Sequence, residues 1–395
     1  MTSPAAATPS RGTTAAQAQP PSRWSLRDAW ARWVEKRVTQ PSFRRWAAGF
    51  WLTRPLVRRR AAQLFDVVSG FVYSQVLLAC VRLSLFEQLA QNGPQTAASL
   101  AQQHGLALRS MQRLLDAAVA LRLLRRCRDG ASYGLGALGA PMVGNEALAA
   151  MVEHHTALYA DLRDPLALLR HEGGGGAMAA YWPYAAYPGA QSLATGSVAE
   201  YSALMTASQP MVIEEVIDAY PLHRHRCLLD VGGGEGRFVA TLAAAAPDLK
   251  LMLFDLPAVA TLARERLGAL GLGERVQAHG GSFFDDPLPK GADIVTLLRV
   301  LFDHDDAHAL AILRAARAAL PRGGCLLVAE PQAGVPGAQA MGDAYFGLYL
   351  LAMGRGQPRT AQALGDLIRA AGFGEVRALP THMPLHAGVL VARAE

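Results

Sequence analysis

At the end of the apolar run Leu297–Phe302, in "LLRVLFDHDDAHAL", the carboxylates Asp303, Asp305 and Asp306 surround one imidazole, His304. Imidazole accepts a proton near neutral pH, and a neighbouring carboxylate fixes its tautomer, so His304 with Asp303 reads as a general base. Asp305 and Asp306 have a plainer reading. They open the amphipathic stretch "DAHALAILRAARAAL", where acids cap free amides and meet the helix dipole. His154 and His155, adjacent in "MVEHHTALYADL", form another pair of imidazoles on a helical stretch that could face a substrate. His223, His225 and His308 read as exposed. The acids lack a second cluster of ligands at metal-binding spacing, so no metal is expected.

The other chemistry lies in "LLDVGGGEGRF". Asp230 ends an apolar run, and Gly232, Gly233, Gly234 and Gly236 follow. Glycines allow a tight turn that brings backbone close to a ligand ahead of a helix. Asp255, about twenty residues on in "KLMLFDLP", is placed for ribose hydroxyls. A dinucleotide site uses G-x-G-x-x-G; here the spacing is G-x-G-x-G with an acid ahead of it. That acid suits a ligand with an amino group and no pyrophosphate, so the loop favours S-adenosylmethionine over a nicotinamide dinucleotide. The alternative is that the glycines only shape a turn.

Such residues need a scaffold. After about residue 200, apolar runs alternate with helical patterns: "RCLLDVG", "KLMLFDL", "RVQAHGGSFF", "ADIVTLLRVLF", "GGCLLVAEP", "VRALP" and "AGVLVARA". The order predicts an α/β, doubly wound, Rossmann-like sheet, its last two strands joined as an antiparallel edge hairpin. From 23 to 190 the pattern is mostly helical. "QTAASLAQQHGLALRSMQRLLDAAVALRLLRR" predicts a helix, a turn at Gly105 and a second helix with Met111, Leu114, Leu115, Ala118 and Leu121 on one face. "DGASYGLGALG" then reads as a wing. A helix-turn-helix with a wing serves DNA binding or protein interaction. The second helix offers solvent only Arg109, Gln112 and Arg113, which favours interaction. "HEGGGGAMAAYWPYAAYPGA" reads as a flexible, aromatic-rich break. The expected domains are a disordered tail (1–22), a basic arm (23–60), a helical, winged-helix-like unit (61–190) and the α/β domain (191–395).

"LLDVGGGEGRF", "LMLFDLPAVA", "GGSFFDDPLPKGADIVTLLRVLFDHDDAHALAILRAA" and "GGCLLVAEP" together resemble the small-molecule, S-adenosylmethionine-dependent O-methyltransferases that include plant caffeate-type enzymes and bacterial relatives. "LYADLRDPLALLR", "YWPYA" and "RVLFDHDD" further resemble the branch that methylates carotenoids in purple phototrophic bacteria. The resemblance implies an N-terminal dimerisation domain, hence a homodimer without nucleic acid. It also implies transfer of a methyl group to the tertiary C1 hydroxyl of an acyclic hydroxy-carotenoid. It places Asp230 and Gly234 in the cofactor loop, Gly232 at the methionine part, Asp255 at the ribose, Leu256 at the adenine, and Ser282 and Phe283 where the family often has an acid and an apolar residue. Two departures stand out. Phe302 occupies the place of the family's histidine base, with His304 two residues on where the family has an aromatic. Glu330 matches one orienting acid, but Pro358, in "GQPRT", replaces the other. His304 could have taken over, His154 or His155 could serve, or alignment alone could suffice, since a tertiary alkanol gains little from deprotonation before transfer.

Charge is uneven. Residues 23–60 hold eleven Arg and Lys against two acids, a net +9 in a chain of +6, and five of six tryptophans: Trp24, Trp30, Trp33, Trp46 and Trp51. Arginine with indole suits an anionic membrane surface, and equally a packed basic face. A cytoplasmic protein with peripheral contact to the photosynthetic membrane is the expectation. "LFDVVSGFVYSQVLLACVRLSLF" is interrupted by Asp66, Gln75 and Arg82, so a spanning helix is not expected. Cys80, Cys127, Cys227 and Cys325 are too far apart in sequence for a C-x-x-C motif. The rival functions are methylation of a phenol or other soluble metabolite, a DNA-binding regulator with a ligand-sensing domain, and an inactive scaffold.

Overall fold

Runs of apolar residues too continuous for a half-exposed strand become the buried centre of a parallel sheet. The computed structural model describes residues 26–182, 209–384 and 386–395. The expected tail, Arg23 and Trp24, and residues 183–190 of the aromatic-rich break lie outside the described residues. The chain divides into two compact units, the first ending at Ser74 and the second running Gln75–Glu395.

The first unit holds α1 (Leu26–Val38), α2 (Pro41–Gly49) and the start of α3 (Arg54–Arg82). Proline at the first turn of α2 costs no hydrogen bond there. Trp30, Trp33, Trp46 and Trp51 are exposed, as are Leu64, Phe65, Val67, Val68 and Phe71 on α3. By length and composition alone, α3 is long and apolar enough to cross a membrane. Its best 18-residue window has a mean hydropathy of 1.8. Asp66, Gln75 and Arg82 are spaced widely enough not to offset the Val, Leu and Phe between them.

The second unit begins with a small α/β layer. Next come α4 (Leu85–Asn92), β1 (Gln95–Thr96), α5 (Ala97–Gln103), α6 (Leu108–Ala120), β2 (Leu124–Arg126) and β3 (Ser132–Leu135). The three strands pair antiparallel in the order β1-β3-β2. Thr96 caps α5 by accepting from the Ser99 amide, and Gly105 turns with φ of 63°. Met111, Leu115 and Ala118 of α6 fill the core, while Arg109, Gln112 and Arg113 face solvent. Further helices are α7 (Glu146–Asp161), α8 (Pro165–Arg170) and α9 (Ala177–Tyr181), so part of the expected break is helical.

The remaining strands are β4 (Cys227–Val231), β5 (Lys250–Asp255), β6 (Val276–Gly280), β7 (Ile294–Leu298), β8 (Cys325–Glu330), β9 (Phe373–Leu379) and β10 (Gly388–Ala394). They form one sheet ordered β6-β5-β4-β7-β8-β10-β9, parallel from β6 to β8. The expected C-terminal hairpin is present, with one refinement: β10 inserts antiparallel between β8 and β9, leaving β9 at the edge. Helices α10 (Arg237–Ala245), α11 (Pro257–Ala269), α12 (Asp306–Ala319), α13 (Phe346–Met353) and α14 (Ala361–Ala370), with a further helical stretch over 209–219, accompany the sheet, and separate apolar cores cover its two faces. Strand order reverses between β4 and β7. In open α/β sheets the crevice outside the strand ends at such a switch point is where ligands bind.

Candidate active site

The glycine loop leaves β4 at that point. Gly232, Gly234 and Gly236 have φ of 71°, 57° and 79°, a region open to glycine at little cost. A Cβ on Gly232 would stand 2.7 Å from Val300, so the loop lies directly against the turn that follows β7. Asp230 is 2% exposed and takes a 2.7 Å hydrogen bond from the Thr296 hydroxyl. Burial pushes its carboxyl up to about 7, with Asp255 adding to the rise. Asp255 accepts from the Gly234 amide at 2.8 Å and from the Leu256 amide at 2.7 Å. Its carboxyl, also raised by burial, keeps an open edge and rises less, to about 6. Each Asp255 oxygen retains acceptor capacity beyond its amide.

Ser282 is buried, and its hydroxyl serves its own turn. It donates to Asp285 at 3.0 Å and accepts from the Phe284 amide at 3.2 Å. Phe283 and Phe284 stack edge-on, with ring centroids 4.7 Å apart.

After β7 the chain turns sharply. Arg299 sits at φ of 57°, uncommon for a residue with a side chain. Leu301–Asp303 then form one tight 3-10 turn. Successive side chains on such a turn diverge, and this separates the residues expected to act together. His304 packs edge-on against Phe283 and Phe284, at 5.7 and 5.5 Å, and burial holds its imidazole down at about 4. Phe302 points instead into an aromatic cluster with Phe346 and Tyr349. Glu330, fully buried, spends its Oε2 on the Phe302 amide at 3.1 Å. It orients backbone where the sequence reading gave it an imidazole. Burial raises Glu330 to about 8, and Asp303 bears electrostatically on both Glu330 and Tyr349.

The turn is held from below by a residue the sequence reading passed over. Arg359, 4% exposed, donates to the carbonyls of Leu301 and His304 at 2.9 and 2.7 Å and to Asp306 at 2.8 Å. Gln357 donates its amide to the Phe302 carbonyl at 2.9 Å. Asp305 is the N-cap of α12, accepting from the His308 amide. Asp306 pairs with Arg359 and does not cap an amide. Of the histidines read as exposed, His223 is so. His308 is half-buried, and the His225 ring is nearly buried between Asp293 and Tyr220, at 3.0 Å from each.

His154 and His155 meet two tyrosines that the sequence reading also missed. His154 Nε2 lies 2.8 Å from the Tyr349 hydroxyl, which also accepts from Trp182 at 3.0 Å. His155 Nε2 lies 2.7 Å from the Tyr345 hydroxyl. Burial lowers both imidazoles, His154 to about 4. The signal in the sequence was "YFGLY", two tyrosines four apart on an apolar helix. Such a pair shares one face, but it reads as core until a partner is seen.

A family model for an O-methyltransferase domain matches residues 185–374, and one for an O-methyltransferase dimerisation domain matches residues 65–149. A demethylspheroidene O-methyltransferase of Cereibacter sphaeroides is 44% identical over 340 residues, 86% of this chain and 88% of its own length. This chain belongs to the O-methyltransferases. A second relative, the demethylspheroidene O-methyltransferase of Rhodobacter capsulatus, is 38% identical over 86% of this chain and 84% of its own. Human N-acetylserotonin methyltransferase, solved with S-adenosylmethionine, superposes with a TM-score of 0.70 at 25% identity, covering 85% of this chain and 97% of its own. This O-methyltransferase uses S-adenosylmethionine, and its dimerisation domain supports a homodimer.

The residues present fit that methyl donor. Two desolvated carboxyls with raised pKa values favour a cation when one arrives, and the donor carries both a sulfonium and an ammonium. Among the described residues, only Gln209 comes within 4 Å of where a Cβ on Gly234 would stand.

Proposed function

We propose that this O-methyltransferase methylates the tertiary hydroxyl of an acyclic hydroxy-carotenoid at a membrane surface. The observation that carries the reading is near full-length similarity to two demethylspheroidene O-methyltransferases, joined to an apolar Phe302 where the family resemblance puts a histidine. A phenol profits from such a base; an alkanol on a polyene profits more from an apolar wall. Phe302, Phe346, Leu256 and Val259 supply that wall and exclude water.

In this reading Asp230, Gly232 and Gly234 hold the methionine part of the donor, Asp255 the ribose, and Leu256, Ser282 and Phe283 the adenine. When bound, the donor supplies an electrophilic methyl group on a positive sulfur. The protein aligns the hydroxyl and takes its proton as the bond forms. His304 remains with the aromatic pair at the adenine end, where it walls the pocket; His155 faces the substrate hydroxyl and His154 supports it from the buried side, with Asp303 and Glu330 bracing the turn between the two ends. Incubating the full chain with labelled S-adenosylmethionine and 1-hydroxy carotenoids in liposomes tests the reading. The expected product is one methyl group heavier; a product from a soluble phenol alone overturns it.

The same substrate gives the basic arm a purpose. Exposed Trp30, Trp33, Trp46 and Trp51 stand among Arg27, Arg32, Lys36, Arg37, Arg44 and Arg45. Indole at headgroup level and arginine on lipid phosphate would dock the enzyme on the anionic face of the photosynthetic membrane. Flotation with anionic liposomes is the measurement. A chain with these four tryptophans changed to alanine that floats as well as the wild type sinks the docking idea.

A further inference from the structure

We infer that Tyr345 is a catalytic residue of this enzyme, contacting the substrate hydroxyl and passing its proton to His155. The inference rests on the alkanol-substrate reading above and adds the group that takes the proton once Phe302 cannot.

The geometry begins at the glycine loop. Val300 abuts Gly232, and two residues on Phe302 packs edge-on against Phe346, with centroids 6.1 Å apart. Phe346 touches Tyr345 at 5.0 Å, and Leu256 and Val259, just past Asp255, pack into the same cluster. One packed apolar cluster thus reaches from the turn beside the donor loop to Tyr345 and Tyr349.

Residues Ala340–Tyr345 form a widened, π-helical turn running straight into α13. Such turns are rare and recur at functional sites. Gly342 permits it: a Cβ there would stand 2.4 Å from the Gln332 carbonyl. The turn brings Tyr345 and Tyr349 onto one face opposite His155 and His154.

The two His–Tyr pairs are not equivalent. Tyr349 is 8% exposed and its hydroxyl is engaged by both His154 and Trp182. That pair is a support. Tyr345 and His155 are half-buried, and the Tyr345 hydroxyl has one hydrogen-bond partner, His155, among the described residues. Next to them His154 Nδ1 is buried without a partner among the described residues. The groups facing the relay are His154 on α7, Tyr349 on α13, Arg299 at the end of β7 and, through Tyr349, Asp303. Burial holds the Tyr345 hydroxyl above its ordinary value, with Arg299 pulling it partly back, and holds His155 below its own; the proton therefore moves only as the methylated oxygen becomes strongly acidic.

The step balances. As the oxygen–carbon bond forms and the carbon–sulfur bond breaks, the hydroxyl proton moves to Tyr345 Oη. The tyrosine proton moves to His155 Nε2, leaving an imidazolium that later loses its proton to solvent.

The test uses the full chain with the hydroxy-carotenoid in liposomes. Tyr345→Phe and His155→Gln are each expected to lower kcat about 100-fold, with KM and S-adenosylmethionine affinity within about threefold of wild type. Added imidazole is expected to restore turnover to His155→Ala. Wild-type kcat is expected to fall at acid pH with a midpoint below the ordinary imidazole value, and that limb to vanish in His155→Gln. Retention of more than about a third of kcat in either variant overturns the relay, as does an acid limb unchanged in His155→Gln. Donor affinity serves as the folding check. If the wild type methylates only a phenol, the alkanol reading fails, and the same variants measured on that phenol decide the relay by itself.

Discussion

Asp230 and Asp255 are both shifted upward, and the sign has consequences. A carboxyl whose folded pKa lies above its unfolded value costs stability when it ionises. That cost is absent below the unfolded value near 3.8 and is incurred as pH rises through about 6 for Asp255 and about 7 for Asp230. Without donor, Asp230→Asn is therefore expected to raise the melting temperature at pH 8, the buried charge costing on the order of a few kcal/mol. The same variant is expected to lose most of the stabilisation that S-adenosylmethionine gives the wild type, so opposite signs appear in two thermal scans. Donor affinity itself is expected to weaken as pH falls from about 8 to about 6, with proton release visible by calorimetry in buffers of different ionisation enthalpy. A flat affinity across that range contradicts a donor held by the ionised forms of these carboxylates. Both acids were legible in sequence because each follows an apolar run and the loop between them is glycine-rich. Tyr345, Tyr349 and Thr296 were not, since each sits in an apolar run where its hydroxyl looks incidental until a partner from a distant segment arrives.

At the scale of elements, the turn after β7 is the part that sequence order misrepresents. Residues adjacent in "FDHDD" leave the backbone in different directions, so a cluster in the chain becomes three sites in space. Phe302 faces the aromatic cluster, His304 faces Phe283 and Phe284, and Asp305 and Asp306 serve α12 and Arg359. Arg359 holds this turn from "GQPRT", beside Pro358, and nothing local in that motif marks the arginine's distant partners. Arg359→Met is expected to destabilise the fold by about 2–4 kcal/mol by removing a charged donor from the Leu301 and His304 carbonyls and from Asp306, measured by denaturant midpoint, and to lower turnover. Gly356→Ala is expected to do likewise, because its Cβ would stand 2.6 Å from the Phe302 carbonyl. The sheet was read more easily. Strands of five or six apolar residues separated by helical patterns admit few arrangements, although the insertion of β10 between β8 and β9 rests on long-range pairing that no local pattern encodes.

Across the whole molecule, charge and hydropathy concentrate at one end of the chain. The first unit carries the exposed tryptophans and arginines, and α3 carries exposed Leu64, Phe65, Val67, Val68 and Phe71. The dimerisation domain begins at residue 65, within that apolar stretch. Two uses of one helix can be separated in the laboratory. Surface docking through arginine weakens steeply with salt, whereas a helix inserted across the bilayer resists both salt and alkaline carbonate. Release of liposome-bound enzyme by about 0.5 M salt is the expected outcome for docking; retention through a carbonate wash points to insertion of α3.

The backbone of Phe302 is gripped at both polar atoms, its amide by Glu330 and its carbonyl by Gln357, while its ring merely leans on neighbours. The position behaves as a socket whose fitting can be exchanged without rebuilding the mount. Substituting histidine there, with the main chain still clamped, is expected to confer measurable turnover of a simple catechol or phenol on an enzyme otherwise suited to alkanols. A lineage holding such a socket could change substrate class by one codon and keep its donor site, its sheet and its partner subunit intact.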